Sequence, residues 1–215
     1  MNTLTQFVVI LLLLNNFALL STGSMKTLIR LVAVQGFLLA LLLVLMPVGR
    51  DFMHTLLFFL AVLGVKGLCF PWLLRRIWRR VVKEPQINPR FGYNLSLLAG
   101  ILALIFSMWL ETRLPIAPEL FPFLLFPAAF STIFTGFLLI VGRMKAITQV
   151  IGYLAAENGI FLLSFPLLSQ AGGFWFEMLM LLDLLVAVFV MGIAINHISD
   201  AFESIDAGRF CALKD

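Results

Sequence analysis

Residues 147–168 read ITQVIGYLAAENGIFLLSFPLL, and Glu157 is the only charged side chain among them. An α-helix of about 20 apolar residues is long enough to cross the hydrocarbon core of a bilayer. A charged side chain at the bilayer centre costs about 3 kcal/mol on insertion scales, so such a residue usually faces a partner or a water path. The stretch therefore predicts a membrane helix, and it indicates that protons or ions move through the protein or beside it.

The composition is that of a polytopic membrane protein. The chain of 215 residues is 62% hydrophobic and 12% charged, with a mean hydropathy of +1.07, whereas a soluble domain carries roughly 25% charged residues. We expect an all-α fold with a single transmembrane domain over residues 1–198 and a cytoplasmic tail over 199–215. This length leaves no room for a separate soluble catalytic domain.

Apolar runs separated by Pro, Gly and polar breaks predict about seven membrane spans. The first lacks the basic n-region of a secretory signal, because no charge precedes Lys26, and we expect it to be retained as a helix. The predicted spans are 4–22, 27–47, 53–74, 95–111, 120–141, 147–168 and 175–197.

The distribution of Lys and Arg predicts the orientation, because cytoplasmic loops carry an excess of these residues. Residues 75–90, which follow the third span, contain six of the 15. Alternation of the spans then places 12 on the same side, Arg50 and Arg113 on the other, and Lys66 within the membrane. We expect the N-terminus outside and the C-terminus in the cytoplasm.

Two parts of the chain look alike. Gln35-Gly36 in the second span is followed by a Leu/Phe run, as Glu157-Asn158-Gly159 is in the sixth. In this comparison Gln35 corresponds to Glu157, and Lys66 to Asp183. Residues 1–74 and 120–198 would then be two three-helix repeats joined by the fourth span, a familiar device in transporters. Chance similarity between apolar helices is the alternative.

Ionisable residues inside the spans are the candidate relay groups for protons or ions: Glu157, Asp183 and Lys66. Lys66 precedes Gly67 and Pro71, and a proline within a span can open a kink beside the lysine. Lys66 could switch its charge, or it could be the permanent partner of a carboxylate, either Glu157 or one on another subunit. Polar residues that could support the relay are Gln35, Asn158, Tyr153 and His197.

The sixth span carries its polar residues on one face. Gln149, Tyr153, Glu157 and Ser164 are spaced by 4, 4 and 7 residues, which aligns them along a helix. Such a stripe suits a hydrated path or a polar contact between helices. Small residues four apart, Gly152 with Ala156 and Ala155 with Gly159, permit close packing nearby.

We expect no catalytic residue and no cofactor or metal ligand in this chain. Cys69 and Cys211 form no C-x-x-C pair, and the predicted topology puts His54 and His197 on opposite sides of the membrane. His197 is better explained as a polar cap at the interface than as a relay group. The sequence contains no P-loop and no zinc-protease or nucleophile-elbow motif.

The chain resembles the HyfE-type membrane subunit (hydrogenase-4 component E family) of energy-converting [NiFe] hydrogenases and formate hydrogenlyases. Its second half is also similar to the K-type subunit of respiratory complex I and to MrpC-like antiporter subunits, whose second helix carries a membrane glutamate at the place of Glu157. The matching pieces are Arg30-x4-Gln35, Lys66-x4-Pro71, Gly152-Tyr153, Glu157-Asn158-Gly159, and Asp183 with the Val/Phe run that follows it.

The resemblance implies a non-catalytic subunit in the membrane arm of a multi-subunit oxidoreductase. It would lie in the prokaryotic cytoplasmic (inner) membrane beside antiporter-like subunits and relay protons or ions. The [NiFe] and Fe–S clusters would belong to hydrogenase-like peripheral partners. Homologues also occur in clusters without a working hydrogenase, so the electron donor stays open.

Two other functions fit the same residues. The chain could be a structural scaffold of such an arm, its polar side chains serving only as contacts between helices. It could also be a standalone transporter of a small solute, although the sequence lacks the paired broken helices and the ligand-sized polar set that such proteins use.

Overall fold

A computed structural model describes residues 3–46, 52–81, 92–114 and 124–171, together with positions 182, 185, 186, 188, 189 and 192. Every regular element in these four ranges is helical. A π-helical segment, Leu63–Cys69, joins α3 to α4 and is called the π segment below. The α-helices are α1 Thr3–Ser21, α2 Met25–Leu45, α3 Phe52–Val62, α4 Phe70–Val81, α5 Tyr93–Arg113, α6 Leu125–Gly142 and α7 Ala146–Ala171.

Six stretches of helix are long and apolar enough to cross a membrane. They coincide with the first six predicted spans, so the all-helical prediction is confirmed for the described residues. The seventh span, 175–197, falls almost entirely outside them, as do Asp183, His197 and the tail. The count of seven spans and the two repeats therefore stay predictions.

The third span differs from the sequence expectation in its interior. The helix runs through Pro71 into α4, and the turn before the proline widens into the π segment, where the Phe70 N–H bonds to the Val65 carbonyl. A proline ring clashes with the carbonyl four residues earlier in a regular α-helix. The wider turn ahead of Pro71 is the kind of local adjustment that single-turn π-bulges provide.

The pair α6 and α7 forms the most extensive helix contact in the described part of the chain. Small residues bring the two backbones together. A Cβ added at Gly159 would lie 2.6 Å from the Ile133 nitrogen, and one added at Gly136 would collide with the Ala156 nitrogen. Three of the four small residues predicted to permit close packing, Gly152, Ala156 and Gly159, therefore face α6.

The hairpin of α1 and α2 packs on the hairpin of α6 and α7, while α5 lies at the edge against α1 and α6. Large apolar side chains cover the outer face of α5, Leu102 and Ile105 each being 57% exposed. In a bilayer this face is suited to lipid, because the side chains exposed along the middle turns of α5 are apolar.

Candidate functional site

Lys66 and Glu157 form a buried ion pair. The Lys66 Nζ atom donates to both carboxylate oxygens of Glu157, at 2.9 and 2.7 Å, and to the Asn158 Oδ1 atom at 3.1 Å. The ring centroid of Phe161 lies 4.2 Å from the same nitrogen. The side chain of Lys66 is 1% exposed and that of Glu157 is 14% exposed. The pairing that the sequence left open is thus present within the chain.

The π segment and Gly36 together bring Lys66 to this position. Lys66 is the fourth residue of the π segment, whose widened turn changes the direction of the side chains within it. Gly36 of α2 packs directly against it, and a Cβ at Gly36 would lie 2.8 Å from the Lys66 carbonyl oxygen. The absence of a side chain at Gly36 allows this approach of α2 to the backbone of Lys66.

A row of carboxamides leads away from the ion pair. Asn158 Nδ2 donates to Gln35 Oε1 at 3.1 Å, and Gln35 Nε2 donates to Asn16 Oδ1 at 2.9 Å. Asn16 Nδ2 then donates to Thr132 Oγ1 at 2.7 Å, whose hydroxyl donates to the carbonyl of Ala128 at 2.6 Å. We call Asn158, Gln35, Asn16 and Thr132 the carboxamide ladder.

The ion pair and the ladder form a polar layer between two apolar clusters. Along α1 the order is Leu12, then Asn16, then Leu19. Leu12 belongs to one cluster and Leu19 to the other. Glu157 follows the first residue of α7 by eleven positions, about 16 Å along an α-helix, which is half of a roughly 30 Å hydrocarbon core. The polar layer therefore lies near the predicted centre of the membrane.

The structure brings together four of the predicted site residues: Lys66, Glu157, Gln35 and Asn158. Tyr153, one turn before Glu157, is partly buried against the apolar cluster that contains Leu19. Gln149 lies at the start of α7, where its side chain donates to the Arg143 carbonyl at 3.4 Å. Asp183 and His197 lie outside the described residues, so their roles stay predictions.

Sequence reasoning missed two members of the ladder, Asn16 and Thr132. Both are buried, with 2% and 1% exposure. The dipeptide Asn15-Asn16 was the available signal, because two adjacent carboxamides interrupt an otherwise leucine-rich run. Asn15 points elsewhere and donates to the Leu31 carbonyl of α2 at 3.2 Å. Thr132 had no signal of its own, since threonine in a membrane helix commonly bonds its own backbone.

A second set of polar contacts lies at the end of the bundle where the α1–α2 and α6–α7 turns meet. Arg143, in the turn between α6 and α7, is 3% exposed. Its Nη2 atom donates to the carbonyls of Leu20 at 3.1 Å and Thr22 at 3.0 Å, and its guanidinium lies 5.1 Å from the Tyr93 ring. Burial lowers the pKa of Arg143, and interactions with Tyr93 act in the opposite direction. Arg143 therefore joins the α1–α2 turn, the α6–α7 turn and the start of α5.

The chemistry available at the polar layer is proton exchange. A carboxylate and an amine in contact can each bind or release a proton, whereas a carboxamide neither gains nor loses one at physiological pH. Within the described residues, His, Cys, Asp and Glu form no group of three or more that could hold a metal ion.

Comparison with known proteins gives one similarity that spans most of the chain. The chain is 27% identical over 200 residues to the uncharacterized protein Rv0085 of Mycobacterium tuberculosis (strain ATCC 25618 / H37Rv), covering 89% of this chain and 87% of that protein. No family model matches the chain. No solved structure matches it either.

Proposed function

We propose that this chain is a membrane-arm subunit of a complex I-like energy-converting hydrogenase or a related complex. It lies in the prokaryotic cytoplasmic membrane with its N-terminus outside, and it relays protons or ions through Lys66 and Glu157 beside antiporter-like subunits. The observation that carries the proposal is the ion pair, held between two apolar clusters at the predicted centre of the membrane.

The energetics of buried ion pairs favour a functional reading of Lys66 and Glu157. Removing two charges from water costs several kcal/mol per ion, and well-packed apolar residues of similar volume are often equally stable or more stable. A helix contact alone needs only amides, which this site also contains. A functional requirement for charge explains an ion pair at this depth better than a contribution to the stability of the fold does.

The exposure of the pair indicates where exchange takes place. The side chain of Lys66 is enclosed, while that of Glu157 is partly exposed. A proton or ion that leaves the pair therefore passes on the Glu157 side. Asp183 is the predicted next group, and from the resemblance to HyfE-type subunits we expect antiporter-like partners beside this one. The [NiFe] and Fe–S clusters would lie on peripheral subunits, and this chain would hold none.

One observation favours the scaffold as a second candidate. Every link of the carboxamide ladder except the last joins two different helices. Hydrogen bonds between membrane helices contribute about 0.6 kcal/mol each on average. Such a network would stabilise assembly even if no ion moved along it.

The substitution Glu157→Gln separates the two functions, because glutamine keeps the shape of the side chain and one acceptor oxygen for Lys66 but carries no charge. A tagged copy in native membranes should still co-purify with antiporter-like subunits. Ion uptake by vesicles, driven by the electron donor of that complex, should fall roughly 100-fold, as expected for loss of a positioned acid–base group.

Ser164→Ala is the matched control, since Ser164 lies on the same predicted face of α7 outside the pair and should leave uptake unchanged. Unchanged uptake by an assembled Glu157→Gln complex would refute the relay. If Glu157→Leu then disrupted assembly while Glu157→Gln did not, the scaffold function would be supported.

A further inference from the structure

The links of the carboxamide ladder all point the same way. Each member donates to the next, beginning with the Lys66 ammonium and ending at the Ala128 carbonyl. Each carboxamide thus turns its oxygen towards Lys66 and its NH₂ group away from it. Because a carboxamide that accepts on one side has its NH₂ group left for the other side, the orientation at either end of the ladder fixes the orientation of every member.

The two ends of the ladder agree: the Thr132 hydroxyl donates its proton to Ala128 and accepts from Asn16, and at the other end the ammonium of Lys66 sets the same orientation. A lysine ammonium has three donors and no acceptor, and here two donors meet Glu157 while the third meets Asn158. Asn158 must therefore present its oxygen to Lys66, which leaves its NH₂ group for Gln35. The same requirement passes from Gln35 to Asn16 and on to Thr132.

The aligned dipoles act back on the cation. Each carboxamide places the negative end of its dipole nearer to Lys66, and hydrogen bonds in a chain polarise one another in a low-dielectric interior. Because carboxamides do not titrate, the ladder cannot carry a proton away from Lys66. Its effect is to hold a positive charge beside the Glu157 carboxylate.

We propose that the carboxamide ladder is a positioning element, which holds Lys66 as a cation on Glu157 and so controls how readily that carboxylate takes up a proton. Asn16 on α1 and Thr132 on α6 thereby influence a group on α7 that neither of them touches. The biological meaning of this control rests on the proposed relay function. The electrostatic effect itself can be measured without transport.

Dicyclohexylcarbodiimide is a suitable probe because it reacts with protonated carboxyl groups in apolar surroundings. The full chain in native membranes is treated over a range of pH, and mass spectrometry quantifies the adduct on the Glu157 peptide. Wild-type Glu157 should react slowly. Lys66→Met should give the strongest labelling, since the carboxyl group then loses its cation.

Asn15 and Asn16 provide a matched pair of variants. They are neighbouring, buried carboxamides on one helix, and only Asn16 belongs to the ladder. Asn16→Leu removes two hydrogen bonds of the ladder. It should raise labelling near neutral pH by about 2- to 10-fold, which corresponds to the net contribution of a single hydrogen bond, and should move the midpoint of the labelling–pH curve towards alkaline pH. Asn15→Leu should reproduce the wild-type curve.

The shift in the midpoint distinguishes positioning from a loosened structure, because easier access of the reagent raises labelling at every pH without moving the midpoint. Thr132→Val removes the far acceptor at nearly constant volume and should shift the midpoint in the same direction, whereas Thr132→Ser should not. Equal curves for Asn15→Leu and Asn16→Leu, or higher labelling with a fixed midpoint, would overturn the proposal. Neither result depends on whether Glu157→Gln alters transport.

Discussion

Lys66 uses all three of its ammonium protons inside the protein, and its pairing with Glu157 is the residue-scale feature on which the site depends. Breaking a buried pair by removing one partner costs about 3–5 kcal/mol, because the remaining charge is left uncompensated. Removing both charges can cost much less. The pair therefore lends itself to a double-mutant cycle.

We expect Lys66→Met to lower the free energy of unfolding by about 3–5 kcal/mol. In the double variant Lys66→Met with Glu157→Gln, part of that loss should be recovered, since no charge remains in the polar layer. Denaturant unfolding in detergent micelles measures the four free energies of the cycle. Strictly additive losses would show that the two side chains do not interact in the folded protein.

The sequence predicted the charged members of the site better than the neutral ones. Lys66 and Glu157 stand out because a charge is costly anywhere in a membrane span, but their pairing required the positions of α7 and the π segment. Asn16 and Thr132 escaped notice because a buried amide or hydroxyl in a membrane helix is unremarkable until its partner is known. The hydrogen-bond partner of such a side chain depends on how the helices pack, which the sequence pattern does not show.

At the scale of single elements, the π segment and α2 depend on each other. The Lys66 carbonyl approaches Gly36 so closely that even a methyl group would have to displace one of the two backbones. Gly64, within the same π segment, has no atom within 4 Å of the corresponding position. The two glycines therefore make a controlled comparison.

Gly36→Ala should destabilise the protein by about 1–3 kcal/mol, the usual range for overpacking a tight interior. It should also raise carbodiimide labelling of Glu157, because the displaced π segment carries Lys66 away. Gly64→Ala should cause neither change and could add a few tenths of a kcal/mol, since alanine favours helices over glycine. Thermal unfolding and labelling of both variants test this, and equal behaviour of the two would contradict it.

The existence of the helices was predictable, while the interior of the third span was not. Long apolar runs locate spans reliably because each must reach across the bilayer. A proline indicates that the regular hydrogen-bond pattern is interrupted, and Lys66-x4-Pro71 therefore predicts a kink. The structure places a widened turn ahead of that proline, and the apolar pattern of the span does not specify the hydrogen bonding of a single turn.

At the scale of the whole molecule, Arg143 brings together chain segments from α1, α5 and α6 at one end. Lys26 lies over the Trp78 ring, with 5.6 Å from its Nζ atom to the ring centroid, so the end of α4 meets the same region. The charge distribution had already assigned these basic residues to one side. Their structural grouping agrees with that assignment, while the side itself stays a prediction.

Single cysteines test the orientation in a background without Cys69 and Cys211. Leu114 and Met144 are 42% and 38% exposed and follow α5 and α6, respectively. Intact cells treated with a membrane-impermeant maleimide should label Leu114→Cys, and Met144→Cys should react only after permeabilisation. The reverse pattern would place the N-terminus in the cytoplasm.

The ion pair also constrains the order in which the protein can be made. Lys66 precedes Glu157 by 91 residues, which at ribosomal rates of about 5–20 residues per second separates their synthesis by roughly 5 to 18 s. During that interval Lys66 has been translated and its partner carboxylate has not. Thr132, the last acceptor of the ladder, also arrives before Asn158. The nascent chain therefore needs a temporary shelter for Lys66, either the insertion machinery or water at the membrane surface, until α7 is delivered.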